Sequence, residues 1–243
     1  MSQLSEASAG VYTLLPGGPP PRALPRGRHR LGREVVLLSQ RSRLLDGMAR
    51  AVAERGFVNA TVADALRHAR VSRATFYQTF RDKEDCFHAA YVAASRVHHH
   101  RVLGAVQNEP DRSRRLLAGT AAYLDVLDEQ PVYARAFLVE IAAAGPRLAQ
   151  ARSESIQAYV ELLQRWYTES AGREHGLRLP DGVLLAYVVG SNELVIQRLQ
   201  RRAPRLHELL PMLMYMQLSL FGMPDEAAAA LETRPRRRGR NPD

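Results

Sequence analysis

Helical spacing of apolar residues is the feature that most constrains the fold of this chain. Leu44, Leu45, Met48 and Val52 recur on one face of a helix that we expect to end near Gly56. No stretch alternates apolar and polar residues with a period of two, as a half-buried strand would. Beyond residue 111, helical segments separated by prolines are predicted at 112–129, 132–144, 147–171, 181–202 and 205–221. The pattern predicts an all-α fold with about nine helices.

The charge of the chain favours a polyanionic partner. The 243 residues carry a formal net charge of +9, with a pI near 10.3, which suits nucleic acid or an anionic membrane surface. No apolar run reaches the ~20 residues that a membrane span needs, so we expect no membrane partner. Cys86 is the single cysteine, which excludes an internal disulfide and fits a cytoplasmic location.

Two short helices are predicted between residues 61 and 80. Thr61 and Asp64 have the spacing of a capping box, which starts the first helix. Ser72 is a good N-cap for the second helix, and Asp82 for a long third one. Two short helices joined by about three residues are the outline of a helix-turn-helix, whose second helix enters the major groove of DNA.

The second short helix divides into an apolar and a polar face. Phe76 and Phe80 lie four residues apart and should face inward. Arg73, Tyr77 and Gln78 are left to face outward. Arginine pairs with guanine and glutamine with adenine, so this face suits the reading of bases. Flanking hydroxyls at Thr75 and Thr79 can donate to phosphates. An ordinary amphipathic helix with a solvated face is the alternative.

Lys83, the only lysine in the chain, lies in the first turn of the third helix. A cation is unfavourable at this positive end of the helix dipole. The free backbone N–H groups there favour an anion, so the position makes sense if a phosphate lies between them and the ammonium.

The stretch TVADALRHARVSRATFYQTFRDKEDCF resembles the DNA-binding signature of TetR-family transcriptional regulators, with a match over about residues 44–91. The preceding basic segment is similar to that of actinobacterial members. Arg70 departs from the pattern, because this turn position is usually glycine. Either the turn differs or Arg70 adopts a left-handed conformation, which costs about 1 kcal/mol. The DNA-contacting residues that the resemblance and the motif imply are Thr61, Arg70, Ser72, Arg73, Thr75, Tyr77, Gln78, Thr79 and Lys83.

The basic segment before the first helix is a candidate DNA-binding arm, with Arg28 and Arg30 as contacts; a solubilising tail is an equal alternative. The predicted divisions are a disordered extension with the basic arm at 1–33, the helix-turn-helix domain at 34–91, a larger helical domain for ligand binding and dimerisation at 92–224, and a disordered basic tail at 225–243.

The resemblance implies a homodimer formed through the last two long helices. The next-to-last of these carries an apolar stripe, and the last is apolar around most of its circumference, so it must be buried. Packing within one chain is the alternative. The predicted interface residues are Leu184, Val188, Val195, Leu199, Met212 and Met216.

The resemblance also implies an effector pocket among the middle helices. Aromatic side chains with hydroxyl tips suit an amphipathic or apolar organic ligand, although each could simply fill the core. The candidate lining residues are Tyr123, Tyr133, Phe137, Tyr159, Leu163, Trp166 and Tyr187.

No enzyme site, cofactor or metal is expected. His98, His99 and His100 are consecutive, so on a helix they point in different directions and do not form a ligand set. The predicted function is a ligand-responsive repressor that binds a palindromic operator as a homodimer. A basic protein that binds nucleic acid without sequence preference is the main alternative, and a helical enzyme is the weaker one.

Overall fold

The computed structural model describes residues 33–170, 179–180, 182–201 and 205–232. These residues form ten α-helices and no strand, so the prediction of an all-α fold is confirmed. Short non-α helical turns occupy Arg135–Val139, Glu140–Ala143 and Leu206–Leu209. The helices are α1 (Arg33–Asn59), α2 (Val62–Ala69), α3 (Arg73–Thr79), α4 (Lys83–Val106), α5 (Arg112–Glu129), α6 (Pro131–Ala134), α7 (Pro146–Ser170), α8 (Val183–Gln200), α9 (Leu210–Leu220) and α10 (Pro224–Glu232).

The chain folds into two compact units. Of the described residues, the first unit comprises those up to His100 together with Glu129–Ser155, and the second comprises Arg101–Asp128 and those from Ile156 onward. Between the two folded parts, the sequence predicted a boundary between residues 91 and 92, with residues 92–224 as one helical domain, whereas residues 129–155 group with the first unit. The difference arises because the segment around α6 packs with the N-terminal helices.

The core of the first unit is built on α1. Leu44, Met48 and Val52 are fully buried on the face that the helical spacing predicted. Gly47 lies on α1 where α2 approaches most closely, because a Cβ there would lie 2.5 Å from the carbonyl oxygen of Ala65. The pair α1 and α2 therefore packs backbone against backbone at this point.

Polar contacts hold α6 and the helical turns that follow it on α1. The Tyr133 hydroxyl donates to Oδ1 of Asp46 at 2.6 Å, and Asp46 also accepts from Nε of Arg50 at 2.9 Å. Burial, followed by the Asp46 charge, raises the pKa of the Tyr133 hydroxyl. Arg135 opens a π-helical turn and donates from Nε to the carbonyl oxygen of Ala53 at 3.0 Å. Residues 131–143 thus belong to the first unit.

The second unit has its own apolar core with a small buried polar group. The Thr120 hydroxyl donates to Oε1 of Gln217 at 2.9 Å, and both side chains are buried. Burial raises the pKa of the nearby Tyr187 to about 12. Helix α10 packs against α9. Residues 225–232 of this helix lie in the tail (225–243) that the sequence predicted to be disordered, and they are helical. None of the described helices is both long and apolar enough to cross a membrane.

Candidate nucleic-acid interface

Helices α2 and α3 begin where the sequence predicted, each with a side-chain cap. The Thr61 hydroxyl accepts from the Asp64 amide at 3.2 Å, and the Asp64 carboxylate accepts from the Thr61 amide at 3.1 Å, which completes the capping box. The hydrogen bond from the Thr61 hydroxyl is the main cause of a lowered pKa at Asp64. Ser72 accepts from the Thr75 amide at 3.1 Å. Both helices are thus fixed at their N-termini.

Helix α3 has the two faces that the sequence predicted. Phe76 is fully buried and Phe80 nearly so, and their rings are 5.8 Å apart in the core of the first unit. Arg73, Tyr77 and Gln78 are exposed, and Tyr77 keeps 53% of its surface in solvent. A rigid inner face therefore supports three adjacent side chains that can donate and accept hydrogen bonds.

The hydroxyl groups of Ser72, Thr75 and Thr79 form hydrogen bonds within α3 and its N-cap. Thr79 donates its hydroxyl hydrogen to the carbonyl oxygen of Thr75 at 2.9 Å. The hydroxyls of Ser72 and Thr75 lie 2.9 Å apart. With Thr61, these residues serve the helix caps and the helix backbone, whereas Arg73, Tyr77 and Gln78 are exposed on the outer face of α3.

Arg70 adopts the left-handed conformation, with φ 52° and ψ 47°. Its amide donates to the carbonyl oxygen of Leu66 at 2.8 Å and so caps α2. Of the two geometries that the sequence left open for this turn, the structure has the left-handed one. The Arg70 side chain is exposed next to α3.

The Lys83 ammonium is hydrogen-bonded within the protein, whereas the predicted phosphate contact required it to face solvent. Its Nζ donates to the carbonyl oxygens of Phe57, Val58 and Ala60 at 2.9, 3.0 and 3.0 Å. It also lies 4.7 Å from the centroid of the Phe57 ring. All three donors of the ammonium are therefore used, and we correct its role from phosphate contact to cap of the α1 C-terminus.

Helix α1 is interrupted near its C-terminus at Gly56, whose φ of 76° and ψ of 155° favour glycine. The carbonyl groups beyond Gly56 lack helical partners and turn toward Lys83. A cation at a helix C-terminus is favourable, which explains a lysine that is poorly placed for its own helix. The sequence carried no sign of this contact, since the partners are 23 to 26 residues apart.

Two predicted DNA contacts, Arg28 and Arg30, lie outside the described residues. The last part of the basic segment belongs to α1 and is engaged within the first unit. Arg41 lies over the Phe80 ring at 4.7 Å from its centroid, and Arg43 donates to the carbonyl oxygens of Ala69 and Arg70. Sequence reasoning missed Arg43 and Gly47, although a lone glycine inside a helical pattern is a known sign of close packing.

The predicted pocket residues do not form one group. Tyr133 and Phe137 stack with ring centroids 5.8 Å apart and belong to the core of the first unit. This corrects the single predicted pocket, because residues 131–143 are held on α1. The other candidates lie in the second unit, where Tyr123 donates to Oδ1 of Asn192 at 2.6 Å; they are Tyr123, Tyr159, Leu163, Trp166 and Tyr187.

The second unit also has a pocket of about 240 Å³. This volume is smaller than the roughly 300–1,000 Å³ typical of ligand pockets. None of the predicted pocket residues lines it. Among the described residues, no group of three or more His, Cys, Asp or Glu is placed to hold a metal ion.

The predicted dimer stripe lies inside the second unit. Leu184, Val188 and Val195 are buried, at 4%, 8% and 0% exposed, so they form core and not a free surface. The remaining predicted residues, Leu199, Met212 and Met216, are half-buried. The large exposed apolar side chains of α8 and α9 are Leu185, Val189 and Tyr215. Burial in the single chain speaks against Leu184, Val188 and Val195 as interface residues, and α8 carries a second apolar face. The dimer itself and the other three residues stay predictions.

Residues 44–90 match the family model described as bacterial regulatory proteins, tetR family. The fold is similar to that of the fatty acid degradation regulator FadR from Bacillus halodurans, with TM-score 0.65 and 19% identity over 74% of this chain and 97% of that one. It is also similar to FadR from Bacillus subtilis in complex with stearoyl-CoA, with TM-score 0.65 and 18% identity over 73% and 97%.

A bacterial regulatory protein in the tetR family from Rhodococcus RHA1 is similar as well, with TM-score 0.54 and 17% identity over 76% of this chain and 96% of that one. No curated protein sequence matches the chain. The match to the family model confirms the helix-turn-helix and its resemblance to TetR-family regulators.

Proposed function

We propose that this chain, whose residues 44–90 match the model of the tetR family of bacterial regulatory proteins, is a repressor that binds a palindromic operator as a homodimer and leaves it when a small ligand binds. The observation that carries the proposal is the arrangement of α3. Its inner face is fixed by Phe76 and Phe80, and its outer face presents Arg73, Tyr77 and Gln78. These are side chains that read base edges in the major groove.

Removal of the Arg73 or the Tyr77 side chain should weaken operator binding and leave the protein folded. Arg73→Ala and Tyr77→Ala should each cost about 1–3 kcal/mol of binding free energy, the range for a base contact. Arg73→Ala should change the free energy of unfolding by less than about 0.5 kcal/mol, because the Arg73 side chain is exposed. Tyr77→Ala also removes a ring contact with Phe76, at 5.3 Å between centroids, which should cost about 0.5–1.5 kcal/mol and leave the protein folded. Titration of a labelled operator duplex, followed by fluorescence anisotropy, measures the binding term.

Arg165→Ala is the matched control, since it removes the same charge from an exposed position in the second unit. It should leave operator affinity close to that of the unmodified protein. Equal losses for Arg165→Ala and Arg73→Ala would favour the alternative, a basic protein that binds nucleic acid through charge alone.

We propose that the dimer forms through α8 and α9, with Leu185, Val189 and Tyr215 in the interface. These large apolar side chains are 43%, 41% and 43% exposed in the single chain, and they lie on the two long helices nearest the C-terminus. Scattered apolar residues are normal on a surface. The assignment therefore depends on a test of association.

The double substitution Leu185→Arg and Val189→Arg should convert the dimer to a monomer. Unpaired charges buried in an interface cost at least about 3 kcal/mol, more than a hundredfold in the dissociation constant. Sedimentation equilibrium measures the change. Leu117→Arg is the control, because Leu117 lies in the same unit and is also 43% exposed. A double variant that stays dimeric would contradict this interface.

The proposed ligand is amphipathic or apolar and binds in the second unit near Tyr123, Tyr159, Leu163, Trp166 and Tyr187. The aromatic composition of this group supports that class, and the stearoyl-CoA bound to the similar Bacillus subtilis structure agrees with it. If ligand releases DNA, linkage requires DNA to weaken the affinity for ligand by the same factor. Calorimetric titration of ligand with and without operator tests that reciprocity.

A further inference from the structure

The turn between α2 and α3 has a conformation that its own residues do not favour. Arg70 is one of two non-glycine residues with positive φ in the described part of the chain. The left-handed conformation costs an ordinary residue roughly fivefold to thirtyfold in population relative to glycine. Such a residue persists where its surroundings hold it in place.

Arg43 of α1 makes the contacts that stabilise this turn. Its Nη1 atom lies 3.2 Å from the carbonyl oxygen of Ala69 and 3.3 Å from that of Arg70. These are among the last carbonyl groups of α2, which have no partners inside their own helix. A cation at this end also complements the helix dipole. One guanidinium therefore binds the end of α2 and the strained turn residue together.

The Arg43 side chain is partly enclosed between α1 and α2. It is half-buried, and its Nε is enclosed without a hydrogen-bond partner among the described residues. Gly47 lies one helical turn further on the same face of α1, where the α2 backbone is closest. Desolvation lowers the pKa of the guanidinium, because the side chain is partly buried.

We propose that Arg43 is a positioning residue for α3, which holds the left-handed turn at Arg70 in place of the usual glycine. This inference rests on the proposed function, because α3 is taken as the DNA-reading helix. If the turn loosens, the competent orientation of α3 becomes a fraction of the population. The apparent affinity for DNA then falls by that fraction. Arg43 thus acts on DNA binding without contact to DNA.

Substitution at the two ends of the contact separates this role from a direct phosphate contact. Arg43→Met removes the guanidinium and keeps the side-chain length; it should weaken operator binding about tenfold, the order of one charged hydrogen bond. The slope of log affinity against log salt should stay unchanged. Loss of a phosphate contact would instead reduce that slope by about 1, and this result would overturn the proposal.

A second experiment tests whether glycine at position 70 restores the operator affinity that Arg43→Met loses. Arg70→Gly removes the left-handed strain, so the double variant Arg43→Met with Arg70→Gly should recover roughly fivefold in operator affinity. Arg43→Met with Arg70→Ala is the control, since it removes the Arg70 side chain but keeps the Cβ. Equal recovery with alanine and glycine would overturn the proposal.

Hydrogen exchange of the Arg70 amide, measured without DNA, keeps the inference separate from the proposed function. The amide is bonded to the Leu66 carbonyl. Its exchange should speed up about tenfold in Arg43→Met and return toward the original rate with Arg70→Gly. If the protein has no preferred DNA sequence, the proposed function fails, and this measurement still decides whether Arg43 holds the turn. An unchanged exchange rate of the Arg70 amide in Arg43→Met would overturn the proposed role of Arg43. If Arg43→Met does not fold, Arg43→Gln, which removes the charge and shortens the side chain, replaces it in each comparison.

Discussion

Gly47→Ala should lower the free energy of unfolding of the first unit by about 3 kcal/mol, the upper end of the range for overpacking. A Cβ at this position would lie 2.5 Å from the Ala65 carbonyl oxygen and 3.0 Å from the Ala69 amide nitrogen. Both are backbone atoms, which cannot turn aside as a side chain can. Helices α1 and α2 must therefore separate, and α3 loses its support.

Gly104→Ala is the matched control for this substitution. Gly104 also lies inside a helix, but no atom lies within 4 Å of its would-be Cβ. Alanine there should stabilise the protein by up to about 1 kcal/mol through helix propensity. Urea unfolding followed by circular dichroism measures both variants. The single tryptophan, Trp166, reports separately on the second unit, which Gly47→Ala should leave unchanged. Equal stability of the two variants would contradict close packing at Gly47.

Lys83→Met should cost about 3 kcal/mol of stability in the first unit. Hydrogen bonds to a charged group contribute about 1.5–3 kcal/mol each, and three that share one ammonium are not additive. Methionine keeps the apolar stem near Phe57 and removes the donors. The carbonyl oxygens of Phe57 and Ala60, in part-buried contacts with the ammonium, then lose their charged partner. Thermal and urea unfolding measure the loss.

Lys83→Arg should recover less than half of that stability. A guanidinium is planar and directs its donors in a fixed fork, whereas the ammonium directs three donors toward three converging carbonyl groups. This geometry accounts for the one lysine in a chain that otherwise uses arginine. The salt dependence of operator binding should be the same for Lys83→Met and the unmodified protein. A shallower slope by about 1 would restore the phosphate contact and contradict the role as a cap.

Local patterns predicted the helix-turn-helix well, because a cap and its target lie within a few residues. Thr61, Ser72 and Asp82 each cap the helix that follows, as predicted. The burial of Phe76 and Phe80 follows from a spacing of four residues on one helix. These features depend on short sequence separations, so a single sequence contains them.

Contacts between distant segments were not predictable in the same way. Tyr133 was assigned to a ligand pocket, but it donates to Asp46, 87 residues earlier. On α8 the choice between Leu184 and Leu185 decides which stripe faces the core, and both stripes are apolar. Helical spacing shows that a face is buried, but the partner that buries it is a property of the tertiary fold.

Selection of bound sequences from random duplexes tests the central claim most directly. The unmodified protein should recover a two-fold symmetric consensus, whose half-sites are spaced by whole turns of DNA as a dimer with two copies of α3 requires. Selection with the Tyr77→Ala variant should lose information at specific base positions of each half-site. Recovery of no consensus, or of one that is unchanged by Arg73→Ala and Tyr77→Ala, would contradict the assignment of α3 as the DNA-reading helix.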